Sequence, residues 1–281
     1  MLTLAQTKSL LNRLQLLPKR KMGQNFLVNS TYVVRSLDWA QVKLGDVVVE
    51  IGPGCGTLTT ALVAANAQVY AVEKDRVLYA HIAETLPEVE LVCDDALQSP
   101  VGRYDFSADA YKVVANLPYA IASIWGDRIL ELAQLPVCMV LMVQKEAADR
   151  WFSSEGNKQF CPLSIFFQSA YQIENKCTVS KNCFYPQPKV DSVLLHLSRR
   201  EHPFIFESDC KKLIRDIFVH RRQQIGHVCK SLDTALSRYL LSYLTSRNVP
   251  LSSRAESLPV EFWQLFAVEL GHHLQASNAL D

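Results

Sequence analysis

Residues 47–60 constrain the fold more than any other part of the sequence. They read VVVEIGPGCGTLTT, an apolar run followed by three closely spaced glycines and the start of a helical pattern. This pattern is typical of a buried parallel β-strand that ends in a glycine loop and feeds a helix. Because glycine has no Cβ atom, Gly52, Gly54 and Gly56 allow the backbone to turn sharply and approach a ligand. The loop amides and the helix N-terminus would face that ligand at the carboxyl end of the strand.

A second predicted strand narrows the choice of ligand. Residues 68–72 lead into Glu73, about twenty residues after the loop, where nucleotide-binding units carry an acceptor for ribose hydroxyls. The dinucleotide fingerprint is not met, because Thr57 stands where its third glycine is needed and Pro53 removes a loop amide. Acids at both strand ends, Glu50 and Glu73, instead suit S-adenosylmethionine, which carries a sulfonium, an ammonium and ribose hydroxyls. A plain strand-turn-helix without a ligand is the alternative.

The distribution of charge is more informative than its sum. The chain has 281 residues, about half of them apolar, and a net charge of +1, so it can bury one large domain and a small one. Residues 1–37 hold six basic and no acidic residues, residues 40–110 hold four basic and eleven acidic, and residues 211–230 hold six basic and one acidic. Basic ends around an acidic middle favour a polyanion gripped at the rim of a domain whose pocket takes a cationic cofactor.

The cysteines and the apolar runs predict a cytoplasmic protein without a metal. None of the eight cysteines forms a CxxC pair, and no His/Cys cluster has zinc spacing. Cys93 and Cys138 lie in apolar runs, so they are predicted to be core thiols in a reducing cytosol. No signal peptide is recognisable, and the longest apolar run, residues 137–143, is too short to span a bilayer.

Strand and helix patterns alternate after Glu73. Predicted strands at residues 90–93, 111–115 and 137–143 are followed by the polar residues Asp95, Asn116 and Gln144. Alternation of this kind predicts an α/β fold with a doubly wound, Rossmann-like sheet, in which these side chains share one crevice with Glu50 and Glu73. From about residue 203 only helical patterns follow, which predicts a small C-terminal all-helical domain. Its predicted helices are residues 210–219, 221–230, 232–244 and 260–274.

The sequence Asn116-Leu117-Pro118-Tyr119 at a strand end carries the chemistry. An exocyclic aromatic amine is a poor nucleophile because its lone pair is delocalised into the ring. The side-chain oxygen of Asn116 and the carbonyl of Leu117 could accept its two protons and draw the nitrogen toward a tetrahedral, nucleophilic state. Pro118 would stiffen the turn and Tyr119 would stack on the base. The alternative is a strand-to-helix turn in which Tyr119 only packs.

Two further segments carry candidate site residues. In the loop of residues 184–192, prolines hold an extended backbone, Phe184 could hold a flipped base against Tyr119, and Lys189 adds a charge that seeks phosphate. The alternative is a rigid loop with buried aromatics. Near the N-terminus, Gln24 and Asn25 are polar amides in an apolar setting, which indicates that they hydrogen-bond something. Helix capping by Asn29 or Ser30 is the alternative there.

Residues 211–230 are predicted to form one basic helix. His220, Arg221, Arg222 and the glutamines that follow place donors around one turn. A solvated helix face is the plain alternative, but the scarcity of acids favours contact with a phosphate backbone. Arg221 and Arg222 are therefore candidate RNA-binding residues, together with Lys189.

Taken together, the motifs resemble one family. GQNFL, EIGPGCGTLT, the strand-end Glu73, DAL from Asp95, NLPY, QKEAADR from Gln144, FYPQPKVDS and RAESL from Arg254 occur in this order. The chain is similar over roughly residues 18–270 to the dimethyladenosine transferases, the small-subunit ribosomal RNA adenine dimethyltransferases. The set is far more specific than any one motif.

The resemblance implies a cofactor, a substrate and a role for each residue. S-adenosyl-L-methionine would be bound by Asn25, Leu27, Gly52, Gly54, Glu73, Asp95 and Asn116. Asn116 would lie where cofactor and target base meet, and Tyr119 and Phe184 would sandwich the target adenine. The family transfers two methyl groups to each of two adjacent adenosines in the 3′-terminal hairpin of small-subunit (16S) rRNA. The expected partner is the rRNA in a pre-30S subunit, with no membrane and no metal, and the chain is expected to be a monomer.

The resemblance also implies a division of the chain and a class of sheet. We expect a basic N-terminal arm at residues 1–22, a class I methyltransferase domain at 23–202 and a helical RNA-binding domain at 203–281. Two positions depart from the family pattern. Ala120 follows NLPY where a polar residue is usual, and Asp94 replaces the small residue before Asp95. These departures concern the shape of the target-base channel and not the reaction.

Two other functions fit the same motifs. An adenine methyltransferase of the erythromycin-resistance kind, or one acting on DNA or another RNA, would share them. A non-catalytic factor that clamps the small subunit would use the basic helical domain equally well. Such a clamp would need neither NLPY nor Glu73, which argues against it.

Overall fold

Residues 47–199 supply the strands of a seven-stranded sheet. The structure is a computed structural model that describes residues 1–278, and of Arg20 and residues 276–278 it describes the backbone alone. The strands are β1 Phe26–Leu27, β2 Val47–Ile51, β3 Gln68–Glu73, β4 Glu90–Cys93, β5 Lys112–Asn116, β6 Cys138–Gln144, β7 Tyr171–Val179, β8 Phe184–Tyr185 and β9 Ser192–Arg199. The helices are α1 Leu4–Arg13, α2 Ser30–Ala40, α3 Thr57–Ala64, α4 Arg76–Thr85, α5 Ala122–Ile129, α6 Lys145–Trp151, α7 Pro162–Ala170, α8 Ser208–Val219, α9 Ile225–Leu232, α10 Ala235–Ser246 and α11 Val260–Asn278.

The strand order places the glycine loop at the centre of the sheet. The order is β4-β3-β2-β5-β6-β9-β7, with β4, β3, β2, β5 and β6 parallel and β9 antiparallel to β6. Every residue of β2 is buried, Glu50 included, as its mainly apolar sequence predicts. Because β2 pairs with both β3 and β5, the chain changes direction across the sheet beside β2. Ligands of such sheets bind at the carboxyl ends of the strands at this point.

The chain forms two compact units. The first holds residues 1–148 and 172–199, which include the whole sheet apart from Tyr171. The second holds residues 149–171 and the chain from Arg200 onward, and it is helical. The predicted division assigned residues 149–171 to the first domain, whereas in the structure they join the C-terminal helices.

The second unit has an aromatic core of its own. Trp263 and Phe266 are fully buried, and Phe218 packs against Trp263 with ring centroids 5.9 Å apart. In α6 and α7, Trp151 and Phe167 stack with centroids 4.4 Å apart. Aromatic side chains of this size bury enough apolar area to hold short helices together.

The basic run of residues 211–230 is not one continuous helix, whereas the separate helices predicted at residues 210–219 and 221–230 correspond to α8 and α9. Residues 220–224 form a turn, so the run is split into α8 and α9. The cause lies in the first turn of α9, where the amides of Ile225 and Gly226 donate to the carbonyls of Ser253 (2.7 Å) and Leu251 (3.0 Å). These amides cannot also bond within a continuous helix, so the helix must restart at Ile225.

The prediction of a core thiol at Cys93 is also wrong. Cys93 is the last residue of β4, an outer strand of the sheet, and its side chain is exposed. Cys138 at the start of β6 is half-buried. No helix among the described residues has the length and apolar character needed to cross a membrane.

Candidate functional site

A cavity lies at the carboxyl edge of the sheet in the first unit. Four polar residues at the carboxyl ends of neighbouring strands line it, as the alternating pattern predicts. They are Glu50, Glu73, Asp95 and Asn116, each within two residues of the last residue of its strand. The N-terminal segment contributes Asn25 and Leu27, and the glycine loop contributes Gly52 and Gly54. Gln144, which was expected to share this crevice, ends β6 and does not line the cavity.

The glycine loop packs tightly against the Asn116–Tyr119 turn. Gly52 has φ +68°, and a Cβ atom placed on it would lie 3.0 Å from the ring of Pro118. A larger residue would therefore be strained in its backbone and would also displace the turn. The consequence is that the glycine loop and the Asn116–Tyr119 turn hold one another in place.

Glu73 is a buried carboxylate that is already fixed by backbone amides. Its Oε2 accepts from the amide of Gly54 (3.0 Å) and its Oε1 from the amide of Asp75 (2.8 Å). Burial raises the pKa of Glu73, while these amides oppose the rise. A carboxylate oriented in this way is a fixed acceptor for hydroxyl groups, which fits its predicted role toward a ribose.

Asp95 makes an ion pair at the end of β4. Its Oδ2 lies 2.6 Å from Nζ of Lys74, and its Oδ1 accepts from the amide of Leu97 (3.0 Å). The hydrogen bond from Lys74 lowers the pKa of Asp95, so the group is an anion at neutral pH. The unusual Asp94 turns back onto Ser99 and the amide of Asp95, and it also lines the cavity. The end of β4 is therefore an anionic acceptor surface, as an adenine amine would need.

Asn116 presents an unsatisfied acceptor to the cavity. Its Nδ2 donates to the carbonyl of Asn25 (3.0 Å), which fixes the orientation of the amide. Its Oδ1 is buried and accepts no hydrogen bond from any residue that the structure describes. The carbonyl of Leu117 is likewise free of hydrogen bonds within residues 1–278. A buried acceptor without a donor is costly, so this oxygen indicates that a donor arrives from a ligand.

Tyr119 and Phe184 lie together but are not parallel. Their ring centroids are 6.4 Å apart and the ring planes are inclined by 70°. Phe184 is buried and does not line the cavity, whereas Tyr119 does. The hydroxyl of Tyr119 hydrogen-bonds to the hydroxyl of Ser192, and burial raises the pKa of Tyr119 to about 12, so its phenol is neutral and cannot act as a base at neutral pH. A base held between these rings would need one of them to turn.

The N-terminal arm is anchored at one side of the cavity. Asp75, a buried residue that caps α4, accepts from Nζ of Lys19 (2.8 Å) and from Nε2 of Gln24 (3.3 Å). These contacts explain the polar amide in an apolar setting. Beyond them, α1 buries Leu10 and Leu11 in a cluster that includes Phe26 and Leu78. The arm is thereby folded onto the sheet.

The three candidate RNA-binding residues have two different environments. Lys189 and Arg222 are exposed. Arg221 is partly buried in the second unit, where its guanidinium pairs with Glu256 (2.6 Å) and also donates to the carbonyl of Lys158. These bonds engage Arg221 within its own unit, and its role in binding RNA stays a prediction. This pairing could not be predicted from the sequence pattern, because Glu256 lies in a distant motif.

Sequence reasoning missed three residues that shape this site. Asp75 anchors the arm, Lys74 pairs with Asp95, and Ser192 bonds to Tyr119. An Asp directly before a helical pattern is a capping signal, so the position of Asp75 was open to prediction. The partners of Lys74 and Ser192 are set by the tertiary fold. Among the described residues, no group of three or more His, Cys, Asp or Glu side chains is arranged to hold a metal ion.

These features fit S-adenosyl-L-methionine. A cationic end would meet acidic side chains, ribose hydroxyls would meet the fixed carboxylate of Glu73, and an adenine amine would meet Asp95. The unpartnered Oδ1 of Asn116 lies where a second substrate could supply a donor.

Comparison with known proteins gives the family. The family model for ribosomal RNA adenine dimethylase matches residues 16–270. The chain is 46% identical to ribosomal RNA small subunit methyltransferase A of Opitutus terrae, over 95% of this chain and 98% of the relative. It is 32% identical to the protein of the same name from Natranaerobius thermophilus, over 94% and 95%.

Solved structures show the same fold. A dimethyladenosine transferase from Plasmodium falciparum superposes with a TM-score of 0.71 at 24% identity, covering 88% of this chain and 98% of that one. The 23S rRNA methyltransferase ErmE superposes with a TM-score of 0.60 at 25% identity, covering 86% and 98%. The predicted α/β class I methyltransferase sheet is confirmed. On the strength of the family match and the 46% identity, the chain belongs to the ribosomal RNA adenine dimethylase family, whose methyl donor is S-adenosyl-L-methionine.

Proposed function

We propose that this enzyme transfers methyl groups from S-adenosyl-L-methionine to the exocyclic amines of two adjacent adenosines in the 3′-terminal hairpin of 16S rRNA. The product would be two dimethyladenosines, formed during ribosome biogenesis on a pre-30S subunit in the cytoplasm by a monomer. The names of the relatives support the class of substrate. The observation that carries the chemistry is the buried, unpartnered Oδ1 of Asn116 beside the free carbonyl of Leu117.

The protein's part in the reaction is to prepare the amine. S-adenosyl-L-methionine supplies an electrophilic methyl group when bound. Asn116 Oδ1 and the Leu117 carbonyl accept hydrogen bonds from the two N–H groups of the amine, which localises the nitrogen lone pair and directs it at the methyl group. The nitrogen releases one proton to solvent for each methyl group that it gains. Because Nδ2 of Asn116 is held by Asn25, the acceptor is oriented before the substrate binds, which is the preorganisation that lowers a barrier.

The remaining site residues position the two substrates. Asn25, Leu27, Gly52, Gly54, Glu73 and Asp95 would hold the cofactor, with Glu73 on the ribose and Asp95 on the adenine amine. Pro118 holds the turn through its contact with the glycine loop, and Tyr119 stacks on the target base, with Phe184 on its other side after a ring rotation. Lys189 and Arg222, both exposed, would contact RNA phosphates.

A second candidate is methylation of a different RNA. The similarity to the 23S rRNA methyltransferase ErmE supports it, since the same sheet serves that enzyme. Its measured identity is lower than that of the small-subunit relatives, which is why it ranks second.

The test is transfer of labelled methyl from S-adenosyl-L-methionine to under-methylated small subunits, followed by digestion of the RNA to nucleosides. We expect labelled dimethyladenosine in small-subunit RNA. Label in naked 23S rRNA alone would favour the second candidate. Tight binding to the subunit without any label would contradict both and favour a non-catalytic clamp.

A further inference from the structure

Glu50 is a buried carboxyl group of the cavity that the proposed mechanism does not use. It lies near the end of β2, is 2% exposed and lines the cavity. Its Oε2 accepts no hydrogen bond from any residue in the described part of the chain. Glu73, one strand away, differs because both of its oxygens accept backbone amides. Of these two buried carboxyls, Glu50 is the one with an oxygen, Oε2, for which the described residues supply no donor.

The charged groups around the cavity do not supply that donor. From β3 and its continuation come Glu73 and the Lys74 that is paired with Asp95. From β4 come Asp94 and Asp95, and from the arm come the exposed Lys21 and the Lys19 that is paired with Asp75. Burial raises the pKa of Cys55 in the glycine loop to about 12 and that of Tyr119 to about 12, so both are neutral. The cavity is therefore acidic on balance.

A carboxyl in this position is more stable with its proton. Burial raises the pKa of Glu50 to about 8, the Glu73 carboxylate adds to the rise, and the nearby hydroxyl of Thr59 opposes it. A buried acid that faces another acid keeps its proton until a cation arrives. A cation at the cavity would reverse the balance, because an opposite charge close by favours the ionised form.

We propose that Glu50 holds a proton while the cavity is free of cofactor and releases it to solvent when the cationic methionine end of S-adenosyl-L-methionine binds. No covalent bond other than the O–H bond of Glu50 changes. The coupling rests on the cofactor occupying this cavity, as the proposed function requires. It makes cofactor affinity depend on pH, rising by up to tenfold for each unit toward pH 8 and levelling off above it.

Calorimetry measures the released proton directly. The cofactor is titrated into the full-length protein at pH 7.0 in buffers of different ionisation enthalpy, and the dependence of the heat on the buffer gives the number of protons. With a pKa of about 8, Glu50 is roughly nine-tenths protonated at this pH, so we expect about 0.9 proton per cofactor bound.

The variants separate Glu50 from the cofactor's own amine. Glu50→Gln keeps the shape of the side chain but has no proton to release, so its release should fall by about 0.9 proton and its affinity should become nearly independent of pH. Glu88→Gln, a change at an exposed acid, is the control and should release as many protons as the parent. Any proton exchange by the cofactor amine is common to all three proteins and cancels in the difference.

Two ligands show which cation is sensed. Methylthioadenosine lacks both the sulfonium and the ammonium and should bind without releasing a proton. S-adenosylhomocysteine keeps only the ammonium, so release on its binding assigns the effect to the ammonium, and release by the cofactor alone assigns it to the sulfonium. Equal release with methylthioadenosine would overturn the proposal without any variant.

The stability of the cofactor-free protein is an independent test of the raised pKa of Glu50. A group whose folded pKa lies above its unfolded value loses its contribution to stability as pH rises from the unfolded toward the folded value. The melting temperature of Glu50→Gln relative to the parent should therefore increase between about pH 5 and pH 8, a range set by the ordinary pKa of 4.5 and the raised pKa of about 8.

If the parent binds cofactor and methylates RNA with no release of protons, the coupling is wrong and the proposed function stands. If neither binding nor methylation occurs, the proposed function is wrong.

Discussion

The two polar atoms of the Asn116 side-chain amide have different roles. Its Nδ2 donates to the carbonyl of Asn25, and its Oδ1 remains buried and available in the cavity. The hydrogen bond to Asn25 decides which end of the amide faces the substrate, so the polarity of the site is set by a backbone carbonyl. The sequence predicted the acceptor, because Asn in NLPY follows a strand. It could not predict the bond to Asn25, which forms only in the fold.

We predict that Asn116→Ala lowers kcat by about a hundredfold or more, as loss of one preorganised polar partner does. Cofactor affinity should change by only a few-fold, because the other cofactor contacts remain. Single-turnover methylation and equilibrium binding of the cofactor measure the two effects separately. Near-normal turnover would remove Asn116 from the chemistry.

Tyr119 allows the ring and the hydroxyl to be tested separately. Tyr119→Phe removes the bond to Ser192 and should destabilise the fold by about 1 kcal/mol while leaving methylation close to normal. Tyr119→Ala removes the ring and should weaken binding of the RNA substrate by an amount corresponding to about 1–3 kcal/mol of stacking. The measurements are thermal unfolding and KM for under-methylated subunits. Equal loss of methylation in the two variants would show that the hydroxyl, rather than the ring, matters.

At the scale of elements, the N-terminal arm is held by two sets of contacts. The polar anchor is Asp75 with its donors Lys19 and Gln24, and the apolar anchor is the packing of Leu10 and Leu11 of α1. Burial alone would raise the pKa of Asp75, but hydrogen bonds from Lys19, the backbone amide of Val77 and Gln24 outweigh it and hold the pKa below its ordinary value. A depressed pKa contributes stability above the unfolded value and loses it as pH falls through the folded value. The polar anchor should therefore weaken only in acid, below about pH 4.

Removing the polar anchor should loosen the arm without unfolding the sheet. We expect Lys19→Met to weaken cofactor binding by roughly two- to fivefold, since partly exposed ion pairs contribute about 1 kcal/mol or less. The arm should also become more sensitive to proteolysis, and the difference from the parent should shrink below pH 4. Lys43→Met, at an exposed lysine outside the cavity, is the control. Unchanged binding and proteolysis would show that the apolar contacts of α1 suffice.

At the scale of the whole molecule, regular patterns were predictable and long-range partners were not. The strand β2 was predictable because burial on both faces selects a mainly apolar run. Of the five polar strand ends predicted to share a crevice, four line the cavity and Gln144 does not. The two-residue strands β1 and β8 are too short to show any period. The turn at residues 220–224 depends on carbonyls of Leu251 and Ser253, which lie well beyond the window of a sequence pattern. The functions of the two units remain predictions.

Two neighbouring residues of the second unit, Arg221 and Arg222, allow a stabilising role to be compared with an RNA-binding role. Arg221→Ala should lower the free energy of unfolding by about 1.5–3 kcal/mol through the lost bonds to Glu256 and Lys158, and it should leave the salt dependence of RNA binding unchanged. Arg222→Ala should leave stability unchanged and reduce the slope of log K against log salt by roughly 0.7–0.9 if the side chain contacts one phosphate. Thermal unfolding and binding titrations at several salt concentrations distinguish them. Identical behaviour of the two variants would contradict the assignment.

The two-stranded ribbon formed by β1 and β8 connects the proposed cofactor site to the proposed site of the target base. Phe26 pairs with Tyr185 and Leu27 with Phe184, so a segment that lines the cavity is hydrogen-bonded to the strand that carries Phe184, the aromatic residue proposed to hold the target base. Any outward movement of the arm that frees a spent cofactor would pull on Phe184. We therefore expect that the enzyme exchanges its methyl donor poorly while the monomethylated base stays bound. Release of the monomethylated RNA between the two transfers is then the expected kinetic signature, and it would be seen as free monomethyladenosine early in the time course.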